Sequence, residues 1–183
     1  SMIIGIDTSK ISGGTKYVIS SSYNRKFNRF FTDIGNGKNT VDDKTLYNLL
    51  KNCLDNFVKV NNGFKPETII IYRQGGNDKQ TEKIMRNELP NILDLFSGDE
   101  TKSCFEKNYK PKLTMFTVNK KTDLKFFEKN NNGYRNIPMG TVIDQDVISP
   151  DLFEFYLQCP DVDSTQPSTC VMVNEDCTDE RRL

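Results

Sequence analysis

The stretch Thr68–Gln74, TIIIYRQ, constrains the fold more than any other in this chain. Three consecutive isoleucines must point to both sides of a strand, and a strand apolar on both sides belongs in the interior of a sheet. The run then stops at Arg73-Gln74-Gly75-Gly76, a polar group followed by turn residues. Behind it, DKQTEKIMRNEL predicts a helix with Asp78 as its N-cap. A central strand feeding a helix is half of a parallel crossover. In open sheets of this kind, sites form outside the carboxyl ends of the strands, so the polar end of this strand looks into a cleft.

The rest of the chain supplies the partners. MIIGID reads as a buried strand ending in Asp7. If it neighbours the central strand, Asp7 and Gln74 face one crevice. TKYVISSSY and KFNRFFTDI alternate as a hairpin joined near Asn24-Arg25, with Gly35 and Gly37 expected to end it. Leu46, Leu49, Leu50, Cys53, Leu54, Phe57 and Val58 recur at helical spacing, so TLYNLLKNCLDNFVKV is an amphipathic helix. Asp42 or Asp43 can cap it, and Asn61-Asn62-Gly63 stops it. Pro90 predicts a break or kink in the second helix. PKLTMFTVNK and TCVMVNED read as strands, MGTVID as a short one, and LKFFEKNNNGYRNIP as a polar excursion. SPDLFEFYLQC, with Ser149 before Pro150, predicts a short aromatic-rich helix or turn. The order gives an α/β fold with a mixed sheet: three antiparallel strands first, then parallel crossovers, flanked by helices and without an internal domain boundary.

The 183 residues contain no histidine. Ser-His and Cys-His nucleophile pairs and His-ligated metals are therefore excluded within the chain. The five cysteines are scattered and form no CxxC pair, which suggests neither a disulfide framework nor a zinc site and fits a reduced, intracellular setting. No apolar run approaches the ~18 residues of a membrane span. Charge is uneven: residues 101–135 carry nine Lys/Arg against three Asp/Glu, and residues 136–183 carry two against ten. The basic block can meet phosphate, where Lys and Arg displace condensed counterions; the plainer reading is a solvated face with a compensating acidic one.

Several stretches occur together, in order, along nearly the whole chain: IIGIDTSK, PETIIIYRQGG, Gln80 and Glu88 in the following helix, NKKTDLKFF, NIPMGTVID, PDLFEFYLQC and DSTQPSTCVMV. In this register the sequence resembles the Piwi domain of the Argonaute/Piwi family, which has a ribonuclease H-like fold. The resemblance implies a single Piwi-like domain over 1–183, a fragment of a longer Argonaute-like protein without the family's C-terminal helical segment. It also implies guide-directed binding of nucleic acid, with guide RNA and a complementary RNA target as partners. Slicing members cut the target with two divalent ions, Mg2+ or Mn2+, held by Asp, Glu, Asp and a final His or Asp. Hard cations prefer anionic oxygens, and two of them clamp the attacking and leaving oxygens.

Carried over residue by residue, that set is depleted. The first Asp is Asp7, which is the one metal ligand retained. The second is Gln74, an amide without charge. The Glu falls near Asp42, a shorter acid, and the fourth ligand belongs to the segment this chain lacks. Ion binding is therefore expected to be weak or lost. Lys120, Lys121 and Lys125 stand where the family has its basic nucleic-acid segment, with Lys10 after the first Asp and Gln166 in place of a later Arg. Arg73 is either a buried anchor to a carboxylate or a direct RNA contact. Three functions follow as expectations. The first is a binding module of an RNA-silencing protein that does not slice. The second is a metal-dependent endoribonuclease using Asp7, Asp42 and Asp144 or Asp146. The third is a docking scaffold for other silencing-complex proteins. The expected location is the cytoplasm, or the nucleus.

Overall fold

The computed structural model describes residues 1–38, 44–75, 78–96, 109–120, 122–131, 133–150, 152–158 and 167–175. Its frame is one eight-stranded sheet in the order β3-β2-β1-β4-β5-β10-β9-β8. β1 (Met2–Ile11), β2 (Gly14–Ser22) and β3 (Phe30–Lys38) form the antiparallel meander expected from the sequence. β4 (Thr68–Gln74) runs parallel to β1, and β5 (Lys112–Asn119) parallel to β4, so the triple-isoleucine strand lies inside the sheet. Beyond β5 the direction reverses again. β10 (Ser168–Glu175) pairs antiparallel with β5 and with β9 (Glu154–Leu157), which in turn pairs with β8 (Val142–Ile143).

The helices cover one face. α1 (Thr45–Val60) packs across β2 and β3 and buries Leu46, Leu49, Leu50, Cys53, Leu54 and Phe57, the stripe its spacing predicts except Val58, which is half-buried. Asn61 closes it: its side-chain amide donates to the Phe57 carbonyl at 2.8 Å and to the Tyr23 carbonyl at 3.0 Å. The predicted caps Asp42 and Asp43 lie outside the described residues, and Lys44 occupies the N-cap without a side-chain bond. The alternate residues of the central strands meet this layer: Met2, Ile4 and Ile6, then Ile69 and Ile71, then Leu113 and Met115.

The second helical region departs from a plain helix. α2 (Asp78–Lys83) begins at Asp78 and passes into a π-helical turn, Ile84–Glu88, before α3 (Leu89–Leu95). The Leu89 N–H reaches back five residues to the Ile84 carbonyl. In an α-helix these two residues would point roughly 140° apart. A π turn stacks i over i+5, so both face the core, and both are buried. Pro90 then sits in the first turn of α3, where its missing N–H costs little. The interruption expected at Pro90 is thus taken up one turn earlier.

Four expectations are corrected. Gly35 and Gly37 do not end the hairpin but lie inside β3. Gly35 is there because a Cβ would come within 2.6 Å of Thr45 and 3.1 Å of Leu49, where α1 crosses the strand. The predicted helix or turn at 149–159 contains β9 instead, since pairing with β10 and β8 outweighs its local preference. The polar excursion contains a separate hairpin, β6 (Phe127–Asn130) and β7 (Gly133–Asn136), held by an Arg135–Glu128 ion pair at 2.9 Å. MIIGID runs past Asp7 to Ile11, because β2 continues to pair with it after β4 has stopped. No helix among the described residues is long and apolar enough to cross a membrane.

Candidate nucleic-acid interface

The carboxyl ends of β1, β4 and β5 form the mouth. The parallel register between β1 and β4 ends at Ile6 opposite Arg73, so Asp7 and Gln74 occupy the next position on each strand. Strand alternation puts both on the face opposite the helices. Asp7 is exposed and Gln74 half-buried. The Thr8 N–H joins them, donating to Asp7 Oδ1 at 2.7 Å and, at a longer 3.5 Å, to Gln74 Oε1. The crevice expected from the sequence therefore brings these two residues together.

Arg73 points the other way, into the helical layer, and its residue is 5% exposed. Its Nε and Nη2 donate to Glu88 Oε2 and Oε1 at 2.8 and 2.9 Å. Its Nη1 donates to Thr8 Oγ1 at 3.3 Å and to the Gln74 carbonyl. A two-pronged guanidinium–carboxylate pair is the strongest side-chain contact available to a buried arginine. It ties the end of the π turn to the ends of β1 and β4. Of the two readings of Arg73, the structure shows the anchor. Glu88 lies in a family-like stretch of the sequence, but its partnership with Arg73 comes only from the fold. Thr8 gives no signal in the sequence at all. Gly75 does: its N–H continues the ladder to the Val118 carbonyl at 2.7 Å, and a Cβ there would lie 3.3 Å from Thr117.

The cations fall on the same edge in part. Gln74 pairs with Val118, so Lys120, exposed just beyond β5, projects from the same end of the sheet as Asp7 and Gln74. Lys125 is exposed in the link between β5 and β6. Lys10 is exposed on the part of β1 that extends beyond β4. Lys121, Asp42 and Gln166 lie outside the described residues.

A pair of divalent ions needs several anionic oxygens. At the mouth Asp7 offers one carboxylate, and Glu88 has both oxygens on Arg73. Among the described residues no group of three His, Cys, Asp or Glu is placed to hold an ion. Asp144 and Asp146 do not complete the set: they follow β8, five strands from β1 in the sheet order. At ~4.8 Å per strand that is about 24 Å. The described donors therefore do not fit a two-ion centre.

Beside the mouth, on the same face, aromatic rings cross the sheet. Tyr72 stacks on Phe116 at 5.5 Å, Phe116 meets Phe155 edge-on at 6.1 Å, and Phe155 meets Phe153 at 6.3 Å. Burial in this row, with a smaller contribution from Cys170, raises the Tyr72 phenol above its ordinary pKa.

Known proteins share the family and the fold. Residues 1–180 match the Piwi domain family. Piwi-like protein 1 of Gallus gallus is 32% identical over 85% of this chain, which spans 18% of that protein's length. Protein argonaute 4 of Arabidopsis thaliana is 31% identical over 66% of this chain and is likewise much longer, with 12% covered. The structure of Kluyveromyces polysporus Argonaute with a guide RNA superposes with a TM-score of 0.77 at 21% identity, covering 97% of this chain and 23% of that one. Drosophila Piwi superposes with a TM-score of 0.71 at 18% identity over 98% of this chain and 24% of its own. The fold is that of the Argonaute/Piwi ribonuclease H-like domains, and the chain belongs to the Piwi domain family.

Proposed function

We propose that this domain holds a guide–target nucleic-acid duplex at the mouth of β1, β4 and β5 within a longer Argonaute-like protein, and does so without cutting it. One observation carries the second half of that reading. Gln74 stands beside Asp7 with its amide oxygen on the Thr8 N–H, where the resemblance places a second metal-holding aspartate. An amide contributes no charge to offset a dication, so Mg2+ or Mn2+ is held weakly or not at all. The first half is supported by family membership and by the guide RNA seen in the related yeast Argonaute. A-form duplexes are read through phosphates and 2′-hydroxyls, which suits Lys120, Lys121 and Lys125 as contacts without base preference.

The test is duplex RNA binding across a salt series. Replacing Lys120, Lys121 and Lys125 by alanine is expected to weaken binding about tenfold and to flatten the log–log salt slope by about 2 to 3. An unchanged slope rejects these lysines as phosphate contacts. Incubating the guide-loaded full-length protein with its target and Mn2+ tests the second half. Cleavage that disappears in Asp7→Ala rejects the non-cutting reading.

A further inference from the structure

At the opposite end of the sheet the β2–β3 hairpin carries a second constellation of charge and aromatic surface. Its turn reads YNRKFNRF, residues 23–30, and the wider segment 8–32 contains five Lys/Arg and no Asp/Glu. The turn is built, not loose. Asn24 Oδ1 accepts from the Asn28 and Arg29 N–H groups at 3.2 and 3.1 Å, and its Nδ2 donates to Asn28 Oδ1 at 2.7 Å. The Tyr23 N–H bonds the Arg29 carbonyl at 3.2 Å, and Asn61 ties the Tyr23 carbonyl to the end of α1. Between this turn and α1 lies an open concavity of about 430 Å³ whose lining includes Arg25, Lys26, Asn28, Arg29, Val60 and Asn61. Among the described residues no carboxylate lines it. Arg25, Lys26 and Arg29 make no ion pair among the described residues.

The second observation is Phe27. It adopts φ 51° while the residue is 39% exposed. A bulky residue in the left-handed region is strained, and such strain persists where the surrounding structure imposes it. Here the bonds of Asn24 to Phe27, Asn28 and Arg29 hold the turn in that shape, and Phe27 is exposed in the same turn that carries the three cations, outside the lining of the concavity. Phe30, 53% exposed, follows at the start of β3. Cations for a backbone and an aromatic face for a base are the two parts of a single-strand binding surface.

We infer that the hairpin turn 23–30 is a second nucleic-acid contact, taking single-stranded rather than duplex substrate. Phosphates enter the concavity against Arg25, Lys26 and Arg29, and a base stacks on Phe27. The contact is separate from the mouth. Ser21 pairs with Ile4 and Val18 with Asp7, so the turn lies beyond the amino end of β1. Met2 to Asp7 alone spans roughly 17 Å. The inference stands independently of the duplex reading.

Anisotropy of a labelled oligouridylate with the 183-residue chain tests it. The triple variant R25A/K26A/R29A is expected to bind at least about tenfold more weakly, with a salt slope flatter by about 2. Phe27→Asn suits the turn, because Asn tolerates positive φ, yet removes the ring. It is expected to weaken binding about fivefold without changing the slope, since stacking is uncharged. A 4-thiouridine probe should crosslink within residues 23–30. Both variants binding within about twofold of the parent, with unchanged circular dichroism, would overturn the proposal. So would loss of polyglutamate binding in the triple variant while oligouridylate binding persists. Lys120→Ala with Lys125→Ala separates the two readings: it should weaken duplex binding and leave the hairpin crosslink in place.

Discussion

Residues one apart on β1, β4 and β5 lie on opposite faces of the sheet, and the two faces have different chemistry. On one, Ile4, Ile71 and Met115 are at most 1% exposed beneath α1 and α3. On the other, Gly5, Tyr72 and Phe116 form the opposing register, with Tyr72 39% exposed. No described helix packs on that second face. The contrast teaches where specificity lies in this chain. The covered face fixes the fold by volume, whereas the other presents polar strand ends and rings to whatever approaches. Arg73 is the exception that links them: a charge on the covered face, tolerated because Glu88 meets both its prongs and Thr8 meets a third N–H.

The contrast can be broken by substitution, beginning with the covered face. Ile71→Ala should lower the free energy of unfolding by about 4 kcal/mol in urea titrations, because the cavity is walled by rigid neighbours. Glu88→Gln should cost about 3 kcal/mol by leaving the Arg73 charge uncompensated. Removing both partners, with Arg73→Met, should recover part of that loss. Full additivity of the two substitutions would show that the pair is not a unit.

A pH series sharpens the same boundary. Burial chiefly, with the neighbouring Ser21 hydroxyl opposing and Asp33 adding, raises the Cys53 thiol from 9.0 to about 11. The folded state thus favours the protonated thiol. That contribution is intact below pH 9 and is lost as pH rises toward 11. Subtracting the profile of Cys53→Ala should isolate a loss on the order of 2 kcal/mol. The smallest effect belongs to the other face: Tyr72→Ala should cost about 1 kcal/mol, the value of a stacked ring already half in water. If it costs as much as Ile71→Ala, the two faces are not distinct.

The covered face was the part most legible in sequence. The Leu46–Phe57 stripe of α1 and the Ile69-Ile70-Ile71 run carry periodicities that local sequence displays directly, and both appear where expected. The hairpin was legible except for its end, since Gly35 signals a close approach by α1 that no local pattern reveals. β9 was misread because PDLFEFYL has no strand alternation of its own and is extended only by its two neighbours. At the mouth, Gln74 was readable as a strand end and Asp7 as its neighbour, although β1 continues past Asp7 to Ile11. Their link through Thr8, and the capture of Arg73 by Glu88, depend on strand register and helix phase, and these exist only once the chain has folded.

The π turn sets how this helix tolerates a change in length. It holds one residue more than an α-helical path between Ile84 and Leu89 would need. Deleting a residue within 84–88 would restore regular helical bonding and look harmless locally. Residues four apart in an α-helix differ by only about 40° in direction, so the shortened turn would still set Ile84 and the Leu89–Leu95 stripe toward the core, with Glu88 moving along with α3. The surplus residue is therefore slack held in one turn, and the helix can lose a residue here, though not elsewhere along its length, and keep its phase.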